Sequence, residues 1–231
     1  MKYDYLKENY SELVTDIKGV CTQVGKNYDD IKLVAVSKTF PPEEILEVKR
    51  LGHADFGENK VQELKSKFDE LKSENINWHL VGHLQTNKVK YIADFVTLIH
   101  SVDSFKLAEE IDRHAKKAGR IINILVQVNT SDELQKSGIE PSDAKNLCRE
   151  ISSLENINLQ GLMTIGMFTD VEEIIRENFR MLKDIFDDLK VDYPGFRYLS
   201  MGMTSDYRIA IEEGSNMLRI GSAIFGKRNY L

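Results

Sequence analysis

Short apolar segments alternate along the chain with longer segments that mix apolar and charged residues. The short segments have the length and β-branched content of strands, and the longer ones repeat apolar positions at helical spacing. Eight strands, each followed by a helix, make the pattern of a (β/α)8 or TIM barrel, an α/β fold. The predicted strands lie at 33–37, 54–57, 78–82, 96–100, 124–128, 159–165, 197–200 and 217–220.

An extra helix is predicted over 3–24, before the first strand, and helices at 43–51, 60–71, 105–117, 144–154 and 171–189. No low-complexity tract or composition shift divides the sequence, so we expect one domain over residues 1–231. The alternative is a doubly wound open sheet. That fold would need a glycine-rich first turn for a nucleotide, and Val36-Ser37-Lys38-Thr39 is not one.

Charge and targeting signals narrow the class of partner. The 231 residues carry a net charge of -6, which argues against nucleic acid or an anionic membrane surface as the main partner. Cys21 and Cys148 lack metal-ligand spacing and form no disulfide framework. The N-terminus lacks the apolar core of a signal peptide, and no segment has the length of a membrane span. We therefore expect a cytoplasmic protein.

Lys38 stands at the C-terminal end of the first predicted strand, and functional residues of TIM barrels lie at such strand ends. Two interpretations are open. Lys38 extends to solvent along the apolar wall, or it is a Schiff-base lysine. In the second interpretation desolvation disfavours the ammonium, lowers its pKa and frees the amine to attack an aldehyde.

Small residues and hydroxyls follow the seventh and eighth predicted strands, at 200–206 and 219–222. A helix pattern begins at Tyr207, and the free N–H groups and dipole of a helix N-terminus favour an anion. Thr204, Ser205 and Asp206 also suit an N-cap, which is compatible with anion binding. Because loops after strands 7 and 8 are the usual phosphate site of TIM barrels, a phosphorylated ligand is favoured, and with it the covalent role of Lys38.

Other catalytic patterns are weak. His79 and His83 suggest a metal pair, but their spacing in an extended strand separates them by roughly 13 Å, too far to share an ion. We expect no metal, and His79 is interpreted as lining the barrel. His53, His100 and His114 show no partner pattern. The sequence contains no Gly-x-Ser-x-Gly elbow or nucleotide-phosphate loop.

Several motifs, in order over nearly the whole chain, carry a family resemblance. They are VAVSKT (34–39), FGEN (56–59), WHLVGHLQTNK (78–88), SVD (101–103), KSG (136–138), GLMTI (161–165), SMGMTSD (200–206) and RIGSAIFG (219–226). Together they resemble the YggS/PROSC family of pyridoxal phosphate homeostasis proteins. The resemblance implies a fold-type III barrel, of the alanine racemase N-terminal-domain type, that carries pyridoxal 5′-phosphate.

The resemblance also implies roles for individual residues. Lys38 matches the Schiff-base lysine, and Arg219 the arginine that faces the pyridine nitrogen. Thr204 stands where many members carry Ser, which keeps the hydroxyl. Lys136 matches a lysine near the site with a part in cofactor transfer, and His79 is a second candidate nearby. The remaining expected cofactor contacts are Asn59 and Met163 at the ring, and Ser200, Gly202, Thr204, Gly221 and Ser222 toward the phosphate.

Two features of the sequence bear on whether the protein is a carrier or an enzyme. The permanent charge of Arg219 disfavours a proton on the ring nitrogen, so the ring is a weaker electron sink. Racemases of this fold add a tyrosine from a second domain and a partner subunit, whereas this sequence ends at Leu231, soon after the last strand. We therefore expect no catalytic residue, and a monomer that stores the cofactor and delivers it to apo-enzymes. A racemase or decarboxylase is the alternative, and a Schiff-base aldolase acting through Lys38 on a sugar phosphate is a further one.

Overall fold

Eight parallel strands close into a barrel in chain order, β1 to β8, in a computed structural model that describes residues 3–131, 133 and 137–227. The ring closes where β1 pairs with β8, in a register that matches Lys32 with Met217 and Ala35 with Ile220. This closure confirms the TIM barrel and excludes the open sheet. The strands are Lys32–Val36, Asp55–Glu58, Asn77–Leu80, Leu98–Val102, Ile122–Gln127, Ile157–Met163, Tyr198–Ser200 and Met217–Ile220.

Helices surround this barrel. The α-helices of the described chain, α1 to α8, are Asp4–Gln23, Pro42–Arg50, Val61–Glu70, Phe105–Lys117, Ala144–Ile151, Glu172–Asp192, Tyr207–Glu212 and Ser222–Phe225. Each spans the segment where the sequence predicts it to within a few residues, except the single turn α8.

The α-helix expected after the third strand is wrong. The 3-10 segment Thr86–Tyr91, rather than an α-helix, follows β3. Val89 and Ile92 are both buried, and their spacing of three residues matches the three-residue turn of a 3-10 helix.

The extra N-terminal helix α1 completes the outer layer beside the last strand. The helix after β8, α8, has only four residues and cannot cover that side of the barrel alone. The twenty-residue α1 contacts α8, α2 and α7. Its buried residues repeat at helical spacing and are Leu6, Leu13, Ile17, Val20 and Cys21.

Side chains of each strand alternate between the barrel interior and the helical layer. In β1, Val34 and Val36 point inward and pack with Leu98, Leu125 and Met217 from other strands. Leu33 and Ala35 point outward into the larger core beneath the helices. These inward-pointing apolar side chains therefore form a floor beneath the C-terminal ends of the strands.

Candidate functional site

A cavity of about 580 Å³ opens at the C-terminal ends of the strands. That volume is typical of small-ligand sites. Its floor and walls combine apolar side chains from β1 and from the loops after β3 and β6 with cationic and hydroxyl groups from the strand ends. The lining residues are Val36, Lys38, Asn59, Val81, Gly82, His83, Ile165, Phe168, Met203, Thr204, Ser205, Arg219, Gly221 and Ser222.

Lys38 lies in the turn after β1, where its half-buried side chain lines the cavity. The backbone on both sides of it is held in place. The Ser37 amide donates to the Gly57 carbonyl at 3.0 Å, and the Thr39 amide donates to Glu63 Oε1 at 2.6 Å. Thr39 has a φ of 71°, a left-handed conformation that is uncommon for a β-branched residue.

A buried ionic cluster supports this turn from outside the barrel. Lys67 Nζ donates to Glu58 Oε1 at 2.7 Å, to Glu63 Oε1 at 2.8 Å and to the Ser37 carbonyl at 2.9 Å. The Ser37 hydroxyl also donates to Glu58 Oε1, at 2.6 Å. Burial raises the pKa of Glu58 to about 7, against the opposing effects of Lys67 and Ser37. The cluster therefore ties α3 to the residues on either side of Lys38.

Hydroxyl groups line the wall formed by the loops after β7 and β8. Thr204, Ser205 and Ser222 all lie on the cavity, and the Ala223 amide donates to Thr204 Oγ1 at 3.3 Å, which joins the two loops. Gly202 does not line the cavity. With a φ of +97°, it lies where a Cβ would come within 2.6 Å of Ala210 Cβ, so it allows α7 to pack against the end of β7.

Arg219 brings a buried cation to the cavity. Its side chain is 5% exposed, Nη1 donates to Ser200 Oγ at 2.7 Å, and Nη2 donates to the Thr164 carbonyl at 2.7 Å. Burial lowers the pKa of Arg219 to about 10, so the guanidinium keeps its charge at neutral pH. Its two terminal nitrogens are both held by the protein.

Six of the predicted cofactor contacts meet at this cavity: Lys38, Asn59, Thr204, Arg219, Gly221 and Ser222. Ser200, expected at the phosphate, instead lies fully buried behind Arg219. Met163, expected at the ring, is fully buried among apolar side chains of the barrel interior. Lys136 lies outside the described residues.

His79 is buried in the barrel interior, in agreement with its interpretation as a barrel-lining residue. Its Nδ1 lies 3.0 Å from Nε2 of His100, a residue for which the sequence indicated no partner. His53 likewise contacts Tyr10 at 3.1 Å, and His114 contacts Glu110 at 3.1 Å. His83 is 54% exposed, with Nδ1 3.7 Å from Asp103 Oδ2. His79 pairs in register with Leu98, two residues before His100, so strand alternation turns both histidines to the same face. That register was not available from the sequence.

The donor set fits a phosphorylated aromatic aldehyde. A primary amine, a buried guanidinium and several hydroxyls face one cavity whose other walls are apolar. An amine is the group that condenses with an aldehyde. Hydroxyls are suitable donors to phosphate oxygens, and the apolar walls of Val36, Val81 and Ile165 suit a flat ring.

Comparison with known proteins agrees with this chemistry. Residues 10–229 match the family model described as alanine racemase, N-terminal domain. A "Pyridoxal phosphate homeostasis protein" of Aquifex aeolicus (strain VF5) is 41% identical over 224 residues, 96% of this chain and 98% of that protein. The chain belongs to the pyridoxal phosphate homeostasis protein family. This finding confirms the family resemblance of the motifs.

Two solved structures share the barrel fold of this chain. The structure of PipY from Synechococcus elongatus PCC7942, with PLP bound, superposes with a TM-score of 0.79 at 33% identity, over 91% of this chain and all of that one. An alanine racemase of Clostridium difficile 630 superposes with a TM-score of 0.76 at 18% identity, over 97% of this chain and 57% of that one. The second likeness shows the shared fold alone.

None of the helices in the described part of the chain combines the length and the apolar character that a membrane crossing requires.

Proposed function

We propose that this protein binds pyridoxal 5′-phosphate through Lys38 and stores or delivers it, without a catalytic cycle of its own. One observation carries the proposal: Lys38, Arg219 and the hydroxyls of Thr204 and Ser222 line the same cavity. The name of the Aquifex aeolicus relative and the PLP bound to PipY support the choice of ligand.

Each polar group of the cavity has a task in holding the ligand. The bound cofactor supplies an aldehyde that condenses with a primary amine, and Lys38 is the amine on the cavity wall. The hydroxyls of Thr204 and Ser222 donate to phosphate oxygens. Arg219 faces the ring nitrogen, where its charge disfavours protonation of that nitrogen. Asn59 and Gly221 line the remaining contact surface.

The carrier role rests on the shortage of acid and base groups. Within the described lining, His83 is the one titratable side chain besides Lys38 and Arg219. It is 54% exposed, whereas a proton-transfer group works best when it is positioned and shielded from solvent. His83 is nevertheless the observation that favours the second candidate, a racemase or decarboxylase in which it moves the proton.

Covalent trapping tests the anchor. The loaded protein is reduced with borohydride and mapped by peptide mass spectrometry, alongside Lys38→Ala and the control Lys60→Ala, which changes an exposed lysine. We expect the adduct at Lys38 in the wild type and in Lys60→Ala. In Lys38→Ala it is lost while circular dichroism shows a folded barrel. An adduct at another lysine, Lys136 included, contradicts this assignment.

A turnover assay separates carrier from enzyme. The loaded protein is incubated with L- and D-amino acids, and the chirality and amines of the products are followed. We expect none to be converted above the rate of free cofactor. Conversion that disappears in His83→Gln would establish the second candidate. Reactivation of an apo-enzyme by the loaded protein, at a rate different from that of free cofactor, tests delivery.

The proposal also includes a monomeric, single-domain protein over residues 1–231 that works in the cytoplasm. Sedimentation equilibrium of the loaded protein tests the monomer, and a single cooperative unfolding transition tests the single domain. Fractionation of cells tests the compartment.

A further inference from the structure

Five polar side chains form a continuous hydrogen-bonded chain through the interior of the barrel, from the start of β2 to the cavity. Asp55 Oδ1 lies 3.0 Å from His79 Nε2, and His79 Nδ1 lies 3.0 Å from His100 Nε2. His100 Nδ1 lies 3.3 Å from Ser200 Oγ, which accepts from Arg219 Nη1 at 2.7 Å. We call Asp55, His79, His100, Ser200 and Arg219 the interior network.

Strand alternation brings these residues together. A Cβ on Gly57 would meet Val34 Cγ1 at 3.0 Å, so position 57 faces the interior, and Asp55, two residues earlier in β2, faces the same way. His79 and His100 pair from β3 and β4, while Ser200 and Arg219 come from β7 and β8. The network therefore links strands from opposite sides of the ring.

The two ends of the network determine the direction of every hydrogen bond. A guanidinium only donates and a carboxylate only accepts. Asp55 accepts from His79 Nε2–H, so the neutral His79 ring accepts at Nδ1 from His100 Nε2–H. The neutral His100 ring then accepts at Nδ1 from the Ser200 hydroxyl, whose oxygen accepts from Arg219 Nη1. Both imidazoles are neutral, and each has one assigned tautomer.

The charges of the interior agree with this direction. Burial would raise the pKa of Asp55, but the hydrogen bond from His79 and the nearby Lys32 outweigh it and lower that pKa to about 2. Burial lowers the pKa of His79, against the opposing effect of Asp55, and lowers the pKa of His100 well below its ordinary value. At neutral pH the carboxylate is charged and both imidazoles are neutral.

We propose that the interior network fixes the orientation of the Arg219 guanidinium, with His79, His100 and Asp55 as positioning residues. Ser200 holds Nη1 and the Thr164 carbonyl holds Nη2, so rotation of the guanidinium breaks one of the two bonds. The orientation is a property of the protein with or without ligand. Its use in facing the ring nitrogen rests on the proposed function.

Side-chain nitrogen NMR on the full-length protein tests the network without cofactor. We expect His79 and His100 to be neutral and protonated on Nε2, and Arg219 to show two resolved Nη signals because its rotation is slow. Ser200→Ala and His100→Leu should merge those Nη signals. His100→Asn, which restores an acceptor for Ser200, should recover them. His114→Leu, in α4 and outside the network, is the control. An Nδ1-protonated or charged imidazole, or unchanged Arg219 signals in Ser200→Ala, overturns the proposal.

Cofactor binding gives a second readout. Because a hydrogen bond to a charged group contributes about 1.5 kcal/mol or more, we expect the Kd for pyridoxal phosphate to rise about tenfold in Ser200→Ala. Asp55→Asn keeps an acceptor oxygen and should keep the wild-type tautomers. Merged Arg219 Nη signals together with an unchanged Kd in Ser200→Ala overturn the role of Arg219 at the ring nitrogen. A wild-type protein that binds no cofactor overturns the proposed function, while the NMR experiment still decides the orientation of Arg219.

Discussion

Lys67 Nζ lies 2.7 Å from Glu58 Oε1, and this buried ion pair also holds the Ser37 carbonyl beside the proposed anchor, Lys38. Glu58 is fully buried, and its second oxygen, Oε2, has no hydrogen-bond partner among the residues that the structure describes. Such a carboxylate is costly to keep charged, yet its ionised form attracts Lys67 most strongly. The support of the Lys38 turn therefore depends on the charge of Glu58.

Burial of the Glu58 carboxyl, which outweighs its pairing with Lys67, makes stability depend on pH in a defined direction. Glu58 has a folded pKa of about 7 against an ordinary value of 4.5, so the folded state binds the proton more tightly. Its contribution to stability is present at low pH and is lost as pH rises toward 7. Glu58→Gln removes that contribution. Between pH 5 and pH 8 the wild type should lose about 2 kcal/mol relative to Glu58→Gln in urea unfolding.

Glu70→Gln, at the exposed end of α3, is the control and should show no such trend. A difference in unfolding free energy between wild type and Glu58→Gln that stays constant from pH 5 to pH 8 would refute the assignment.

The Thr204 hydroxyl should discriminate phosphorylated from unphosphorylated ligand. Thr204→Val keeps the shape but removes the donor, and we expect the Kd for pyridoxal phosphate to rise about tenfold. The Kd for pyridoxal, which lacks the phosphate, should not change. Thr204→Ser keeps the hydroxyl and should bind like the wild type. Equal losses for both ligands would show that Thr204 acts on packing and not on the phosphate.

Arg219 should control protonation of the ring nitrogen. In Arg219→Glu a carboxylate replaces the guanidinium, and an anion near the nitrogen favours its protonated form, so its pKa should rise by about one to three pH units. The pH titration of the bound cofactor's absorption spectrum measures this. Arg113→Glu, on the exposed surface of α4, is the matched control. An unchanged titration in Arg219→Glu contradicts the position of Arg219 at the ring.

A glycine in β6 is required by the packing of the barrel wall. Gly161 has a φ of +147°, and a Cβ there would lie 1.9 Å from the Tyr198 carbonyl oxygen of β7. Because the obstructing atom is backbone, we expect Gly161→Ala to lower the free energy of unfolding by about 3 kcal/mol. Gly19→Ala in α1, where a Cβ meets nothing within 4 Å, should instead raise it by about 0.5 to 1 kcal/mol. Thermal or urea unfolding of the two variants checks both signs.

The sequence by itself determined the strands and helices, because apolar periodicity is a local property. The strands at 33–37 and 217–220 were predicted within two residues of their observed bounds. The rule that strand ends carry the chemistry of such barrels led to Lys38, Thr204 and Ser222, and all three line the cavity.

Only the tertiary structure decided which polar residues meet. His79 and His100 are 21 positions apart, and Ser200 is a further 100 from His100, so their contacts depend on the register with which the strands close into a ring. The same register put Ser200 behind Arg219 and not beside Thr204, and turned Glu58 outward to Lys67. Local patterns specify which face of a strand a residue occupies, but the residue across the barrel from it is set only when the ring closes.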